Sequence, residues 1–191
     1  MNLASSRTLG EMRAVLLDPA SAGPDPVYQV FSNLENPPAG GWVNKTVISA
    51  GKIGREFSKT FGHYHGTPLP EIYHEVHGQG VLLLQKKHFE NGVWVPEMVD
   101  EVFLIKASDG DEITITPEYG HCWSNVGEEE LILYDNWHSG HQPADYEMIK
   151  KLSGMAYYLT SENGEIKAIP NPNYKSLPEA RRVSVAEYKG R

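Results

Sequence analysis

From Trp42 onward the apolar positions of this chain fall into short runs of strand length. Residues 43–48 are rich in β-branched side chains, residues 53–61 follow a Gly51-Lys52 turn, and residues 71–77 are bounded by Pro70 and Gly78. Apolar runs follow at 81–85, 94–98 and 102–106. Ser108-Asp109-Gly110-Asp111 marks a turn, because Asp-Gly favours positive φ. Ile113 and Ile115 alternate with Thr114 and Thr116 until Pro117 ends the run, and 131–134 supplies one more strand. Short strands between glycine-rich turns, without long helical periods, predict a barrel or sandwich rather than α/β winding.

The two ends read differently. Three prolines in residues 18–26 prevent a continuous element, 27–34 suits either a short helix or an edge strand, and 35–41 is a clear break. Neither break is a domain boundary, since too little chain precedes it to bury a core. Residues 144–152 suit a short helix, and 155–159 with 165–169 suit a hairpin around Ser161-Glu162-Asn163-Gly164. Beyond Pro170-Asn171-Pro172 the chain turns polar, with Arg181 and Arg182 in an extension packed over the barrel or against a second subunit. The expectation is one domain over residues 1–191, its core barrel at about 42–146, with flanking extensions.

Composition narrows the partners. With 17 Lys+Arg against 25 Asp+Glu, the net charge is −8, which argues against a general nucleic-acid surface but leaves room for a small phosphorylated ligand in a locally positive pocket. Cys122 is the sole cysteine, so no internal disulfide forms. No apolar run approaches the roughly 20 residues that span a bilayer. Residues 1–13 lack the unbroken apolar core of a signal peptide, so no membrane association and a cytoplasmic location are expected.

The candidate chemistry is concentrated in histidines and one glutamate. His63 and His65, two apart, point to the same face of a strand. Five residues including Gly66, Pro68 and Pro70 allow a turn that returns Glu71 beside them on the next strand. His121 follows Pro117 and Tyr119 at the end of another strand. Three imidazoles and a carboxylate form an N₃O set for a divalent first-row metal, with positions left for two substrate oxygens. Alone, the HxH pair equally suits two surface histidines, and the whole set gives it meaning. His74 falls on the face opposite Glu71, and His77 sits about 20 Å along the strand. Lys86, Lys87 and His88 read as a solvated loop. Cys122 points away from the metal as a small hydrophobe.

These residues carry a resemblance. His63-x-His65-(x)₅-Glu71-(x)₆-Gly78 and Gly110-(x)₆-Pro117-x-Tyr119-Gly120-His121-(x)₃-Asn125 resemble the two cupin motifs. Thr46, the run Gly51-Lys52-Ile53-Gly54-Arg55-Glu56-Phe57, Thr60-x-Gly62, Glu71-x-Tyr73, Gly78-x-Gly80-(x)₄-Gln85 and Asp145-Tyr146 extend it. Together, over residues 42–146, they are similar to the cupin-type glucose-6-phosphate isomerases of archaea and some bacteria. The resemblance implies an all-β cupin fold, a double-stranded β-helix or jelly-roll barrel with a few short helices. It also implies an aldose–ketose isomerase of glycolysis and gluconeogenesis, working as a homodimer on a phosphorylated hexose.

By that resemblance His63, His65, Glu71 and His121 hold one divalent ion per subunit, usually Fe²⁺ and replaceable by Mn²⁺, Ni²⁺ or Zn²⁺. Thr46, Thr60 and Gly62 approach the sugar phosphate and Tyr73 the sugar, while Glu71 is the first choice of base for the proton that leaves C2. A metal-assisted hydride shift is the other route. Lys52 or Arg55 adds positive charge or faces water as a turn residue. Tyr119 and Trp123 line the mouth or pack under an extension. Two departures stand out. The His65–Glu71 loop is one residue short, and Ala144 stands where the family keeps a histidine before Asp-Tyr, leaving His138 or His141 as replacements. The same metal shell would also suit another sugar isomerase, an oxygenase or a non-catalytic carbohydrate-binding cupin.

Overall fold

Alternation along the strands decides what faces the interior, and the computed structural model shows it over the residues it describes, 1–138 and 140–188. The strands are β1 (Asn2–Arg7), β2 (Tyr28–Ser32), β3 (Asn44–Ile48), β4 (Lys52–Ile53), β5 (Glu56–Phe57), β6 (His63–Tyr64), β7 (Glu71–His77), β8 (Gln79–Glu90), β9 (Val93–Ser108), β10 (Glu112–Ile115), β11 (Tyr119–Asn125), β12 (Leu131–Asp135), β13 (Tyr157–Glu162), β14 (Glu165–Pro170) and β15 (Ala180–Ser184). Helices are few and short: α1 (Leu9–Met12), α2 (Pro143–Lys151) and α3 (Val185–Tyr188). The described residues are mostly β, arranged as the strand-dominated sandwich that the resemblance implies.

One six-stranded sheet runs β1-β2-β3-β12-β7-β10 and a five-stranded sheet runs β15-β9-β8-β11-β6. On β7 Glu71, Tyr73 and Glu75 are buried; on β12 Leu131, Leu133 and Asp135 are. β11 is buried along its whole length, and its Trp123 and His121 rings meet Tyr73 of β7 at 5.7 Å each. The two sheets therefore pack through β7 and β11, the strands that carry Glu71 and His121. A third sheet, β14-β13-β5-β4, closes one side.

Several expectations need correction. Residues 53–61 are not one strand: a turn at Gly54-Arg55 folds β4 back on β5, and the chain becomes regular again only at β6. Residues 27–34 contain strand β2, which is not an edge because β1 covers it. The apolar runs at 81–85, 94–98 and 102–106 belong to one long hairpin, β8–β9, turned by Asn91-Gly92 with φ of 51° and 78°. Asn-Gly is the residue pair that such a tight turn favours. Lys86, Lys87 and His88 consequently lie in a strand rather than a loop. There His88 Nδ1 meets Asp100 at 2.6 Å, and Lys87 donates to Pro117 O at 3.0 Å. His121 sits in the middle of β11 rather than at the end of the strand that Pro117 stops.

At the C-terminal end, α2 and the β13–β14 hairpin form where a helix and hairpin were expected, and β15 lies parallel along β9. Gln85 ties these pieces together from inside. Its amide donates to Tyr64 Oη at 2.5 Å and Tyr174 Oη at 3.0 Å, and its carbonyl accepts from Ala156 N at 2.7 Å.

Candidate metal centre and substrate cavity

The ladder between β6 and β11 places His63 directly opposite His121, and cross-strand neighbours bring their side chains together on one face. Their rings lie 4.2 Å apart between centroids, and His65 is 4.8 Å from His63. Gly62 makes this approach possible. Its φ is 84°, and a Cβ there would fall 2.8 Å from Met155 Sδ, so a side chain would be strained and crowded at once. Glu71, first residue of β7, reaches in from the other sheet.

One ligand atom from each of His63, His65, Glu71 and His121 lies within 4.8 Å of the others, and all four residues are buried. Glu71 Oε2 is 2.9 Å from His65 Nε2 and 3.2 Å from His121 Nε2. Yet Glu71 Oε1, His63 Nε2, His65 Nδ1 and both ring nitrogens of His121 lack hydrogen-bond partners among the described residues. Buried orphans of this kind ordinarily cost about 1–3 kcal/mol each. A divalent ion taking one nitrogen from each ring and a carboxylate oxygen relieves part of that penalty, so the residues fit a metal.

The protonation states fit as well. Burial lowers the pKa of His63 well below the imidazole range, helped by His121, His141 and His65. Burial also lowers His121, against the raising effect of Glu71. Burial pushes Glu71 up, but the close approach of the His121 and His65 rings outweighs it and holds the carboxyl down at about 2. Neutral imidazoles beside an ionised carboxylate are what metal binding requires.

Above this cluster opens a cavity of about 320 Å³, within the range of small-molecule sites. Thr46, Thr60, Gly62, His63 and Tyr73 all line it, so these sequence-selected residues share one chamber. The Thr60 hydroxyl also accepts from Trp123 N–H at 3.0 Å, which fixes its position. Between the two candidate replacements for the missing histidine, the structure favours His141. It lines the cavity 4.1 Å from the His63 ring and stacks with Trp137, while His138 is exposed and absent from the lining. His141 keeps one side open to solvent; the water its ring loses lowers its pKa.

Other candidates fall elsewhere. Arg55 pairs with Glu162 at 3.4 Å, and Lys52 lines a separate hollow beside Gly127. His74 stacks on Trp42 outside the cluster, and His77 meets Glu129 at 3.0 Å. Tyr119 donates to Glu101 at 2.8 Å, away from the cavity, and Trp123 is a core residue. Burial pushes the Cys122 thiol up to about 11, consistent with an inert packing role.

Sequence reading missed Arg7, Tyr28, Asn44, Asp135 and Trp137, all of which line the cavity. Asp135 Oδ1 accepts from Asn44 Nδ2 at 2.7 Å and Trp137 N at 3.0 Å, while burial, followed by Glu71, raises its carboxyl to about 7. A polar residue closing an otherwise apolar run, Leu131-Ile132-Leu133-Tyr134-Asp135, was the available signal.

A β-sandwich that gathers three histidines and a carboxylate at one point beside a ligand-sized cavity matches the class of enzyme that the cupin resemblance implies, with a side-chain group able to hold a metal. The family model described as glucose-6-phosphate isomerase matches residues 7–175, and the chain belongs to that family. Its relatives include the glucose-6-phosphate isomerases of Thermococcus onnurineus, 34% identical over 80% of this chain and 75% of that one, and Thermococcus kodakarensis, 31% identical over 88% and 86%. That of Pyrococcus abyssi is 32% identical over 89% of this chain and 87% of its own. Among solved structures the chain is similar to the Drosophila melanogaster CENP-C cupin domain, at 10% identity and a TM-score of 0.39 over 64% of this chain and 79% of that one. A likeness that loose carries no argument about the site.

Proposed function

We propose that this chain interconverts glucose 6-phosphate and fructose 6-phosphate as a metal-dependent aldose–ketose isomerase. The observation that carries the reading is the buried His63, His65, Glu71 and His121 cluster beneath a ligand-sized cavity in a chain of this family. When bound, a divalent ion supplies Lewis acidity for the two adjacent sugar oxygens. Fe²⁺ is the proposed ion, with Mn²⁺, Ni²⁺ or Zn²⁺ as substitutes. A homodimer in the cytoplasm belongs to the same reading.

The reaction moves hydrogen from C2 to C1 and a proton between the two oxygens, with no external oxidant. Glu71 Oε1, without a hydrogen-bond partner among the described residues, is the proposed acceptor of the C2 proton, which it returns at C1. Tyr73 and His141 orient the sugar hydroxyls from the cavity wall, and Thr46, Thr60 and the Gly62 N–H receive phosphate oxygens. Asp135, held near neutrality, is the competing carboxyl.

A coupled fructose 6-phosphate assay tests the activity: turnover is expected to vanish on chelation and return with an added divalent ion. Undiminished turnover without metal would overturn the reading. Glu71→Gln, assayed with metal content measured on the same sample, tests the base. Full activity at full occupancy would shift the role to Asp135, and product free of label from isotopic water would favour a hydride shift.

A further inference from the structure

A phosphate dianion entering a protein of net charge −8 needs a local cation, and neither lysine nor arginine of the 51–57 turn faces the cavity. Arg7 does. Among the described residues lining the chamber it is the one Lys or Arg, and it comes from β1, ahead of the motifs at residues 42–146. It stands opposite Tyr28 in the β1–β2 ladder. Its guanidinium lies 5.3 Å from the Tyr146 ring centroid and 5.8 Å from that of Phe61, the residue between Thr60 and Gly62. The cation is thus stacked against the same short segment that carries two of the proposed phosphate contacts.

Its neighbours hold it without using it up. Glu11 Oε1 stands 3.5 Å away, while Glu11 Oε2 is occupied by the Thr8 N–H at 2.9 Å in a capping box that fixes the carboxylate one helical turn along. The Tyr28 and Tyr146 hydroxyls also engage the guanidinium, whose five N–H donors in a planar fork can keep these three contacts and still offer two to a phosphate. The side chain is 31% exposed, open to an incoming anion yet braced by two aromatic rings.

We infer that Arg7 is the cation that receives the substrate's phosphate and selects phosphorylated over neutral sugars, in concert with Thr46, Thr60 and Gly62; this rests on the phosphohexose reading above. The metal-loaded chain is compared as wild type, Arg7→Gln, Arg7→Lys and, as a charge-matched control outside the cavity, Arg55→Gln. Arg7→Gln is expected to raise KM for fructose 6-phosphate roughly 10- to 100-fold, the range for losing a charge-assisted hydrogen bond. The loss in kcat/KM falls mainly on KM. The competitive Ki of inorganic phosphate weakens by a similar factor, Arg7→Lys is intermediate, and Arg55→Gln matches wild type. KM and Ki for Arg7→Gln within twofold of wild type, in folded protein of normal metal content, would overturn the assignment. Should wild type show no isomerase turnover, the phosphohexose reading falls. Titration of wild type and Arg7→Gln with inorganic phosphate, followed by tryptophan fluorescence, then still decides whether Arg7 binds phosphate.

Discussion

At the residue scale, the interior also holds a carboxylate that lies outside the proposed mechanism. Glu75 is buried at the third inward position of β7, and neither of its oxygens has a hydrogen-bond partner among the described residues. Burial, with Asp109 and Asp111 adding to it, raises its pKa to about 8 from an ordinary 4.5. Between those values the folded state holds a proton that the unfolded state has released, so stability falls as pH rises through that window. Glu75→Gln mimics the protonated form. Its thermal midpoint should match wild type below pH 4 and exceed it above pH 8, by up to a few kcal/mol in stability. Thermal melts across pH 4–9 check this, and equal midpoints at pH 9 would contradict it. By contrast, His63, His65, Glu71 and His121 were legible in the sequence because short spacing on strands dictates which side chains share a face. Arg7 and Asp135 were not, since their value depends on what the fold brings beside them from distant parts of the chain, Tyr146 and Phe61 for Arg7 and Asn44 and Glu71 for Asp135.

At the scale of elements, the polar stitching between the N-terminal segment and the barrel is buried rather than superficial. Lys59 Nζ pairs with Glu56 Oε1 and donates to Val15 O at 2.8 Å, while Glu56 Oε2 accepts from Leu17 N at 2.9 Å. Both side chains are almost wholly enclosed. Lys59→Met should therefore destabilise by about 3–5 kcal/mol, because it strands a buried carboxylate, and adding Glu56→Gln should recover much of that loss. Denaturant unfolding of the single and double variants measures it. Most barrel strands declared themselves through β-branched residues and turn glycines. β1 did not, because Asn2-Leu3-Ala4-Ser5-Ser6-Arg7 lacks alternating large apolar residues and owes its strand form to pairing with β2. The β8–β9 hairpin was divided into pieces because charged residues interrupt its apolar pattern where the strands leave the core. Asn91-Gly92 was the signal that joins them.

For the whole molecule, the metal cluster joins two sheets: His63, His65 and His121 come from the side of β6 and β11, and Glu71 from β7. An ion bound there stabilises only the assembled state. At a hundredfold excess over its dissociation constant it contributes about 2.7 kcal/mol, and chelation should lower the thermal midpoint by roughly 5–10 °C, restored by adding the ion back. Calorimetry with and without chelator tests this, and an unchanged midpoint would contradict a bridging ion. The chamber itself is assembled from parts of separate origin in the chain, its floor from the barrel motifs and part of its wall from β1. Ancestral or engineered chains can thus exchange the opening strand while the metal-holding floor stays untouched. In such a lineage, preference for anionic over uncharged sugars would drift at a different pace from isomerisation itself.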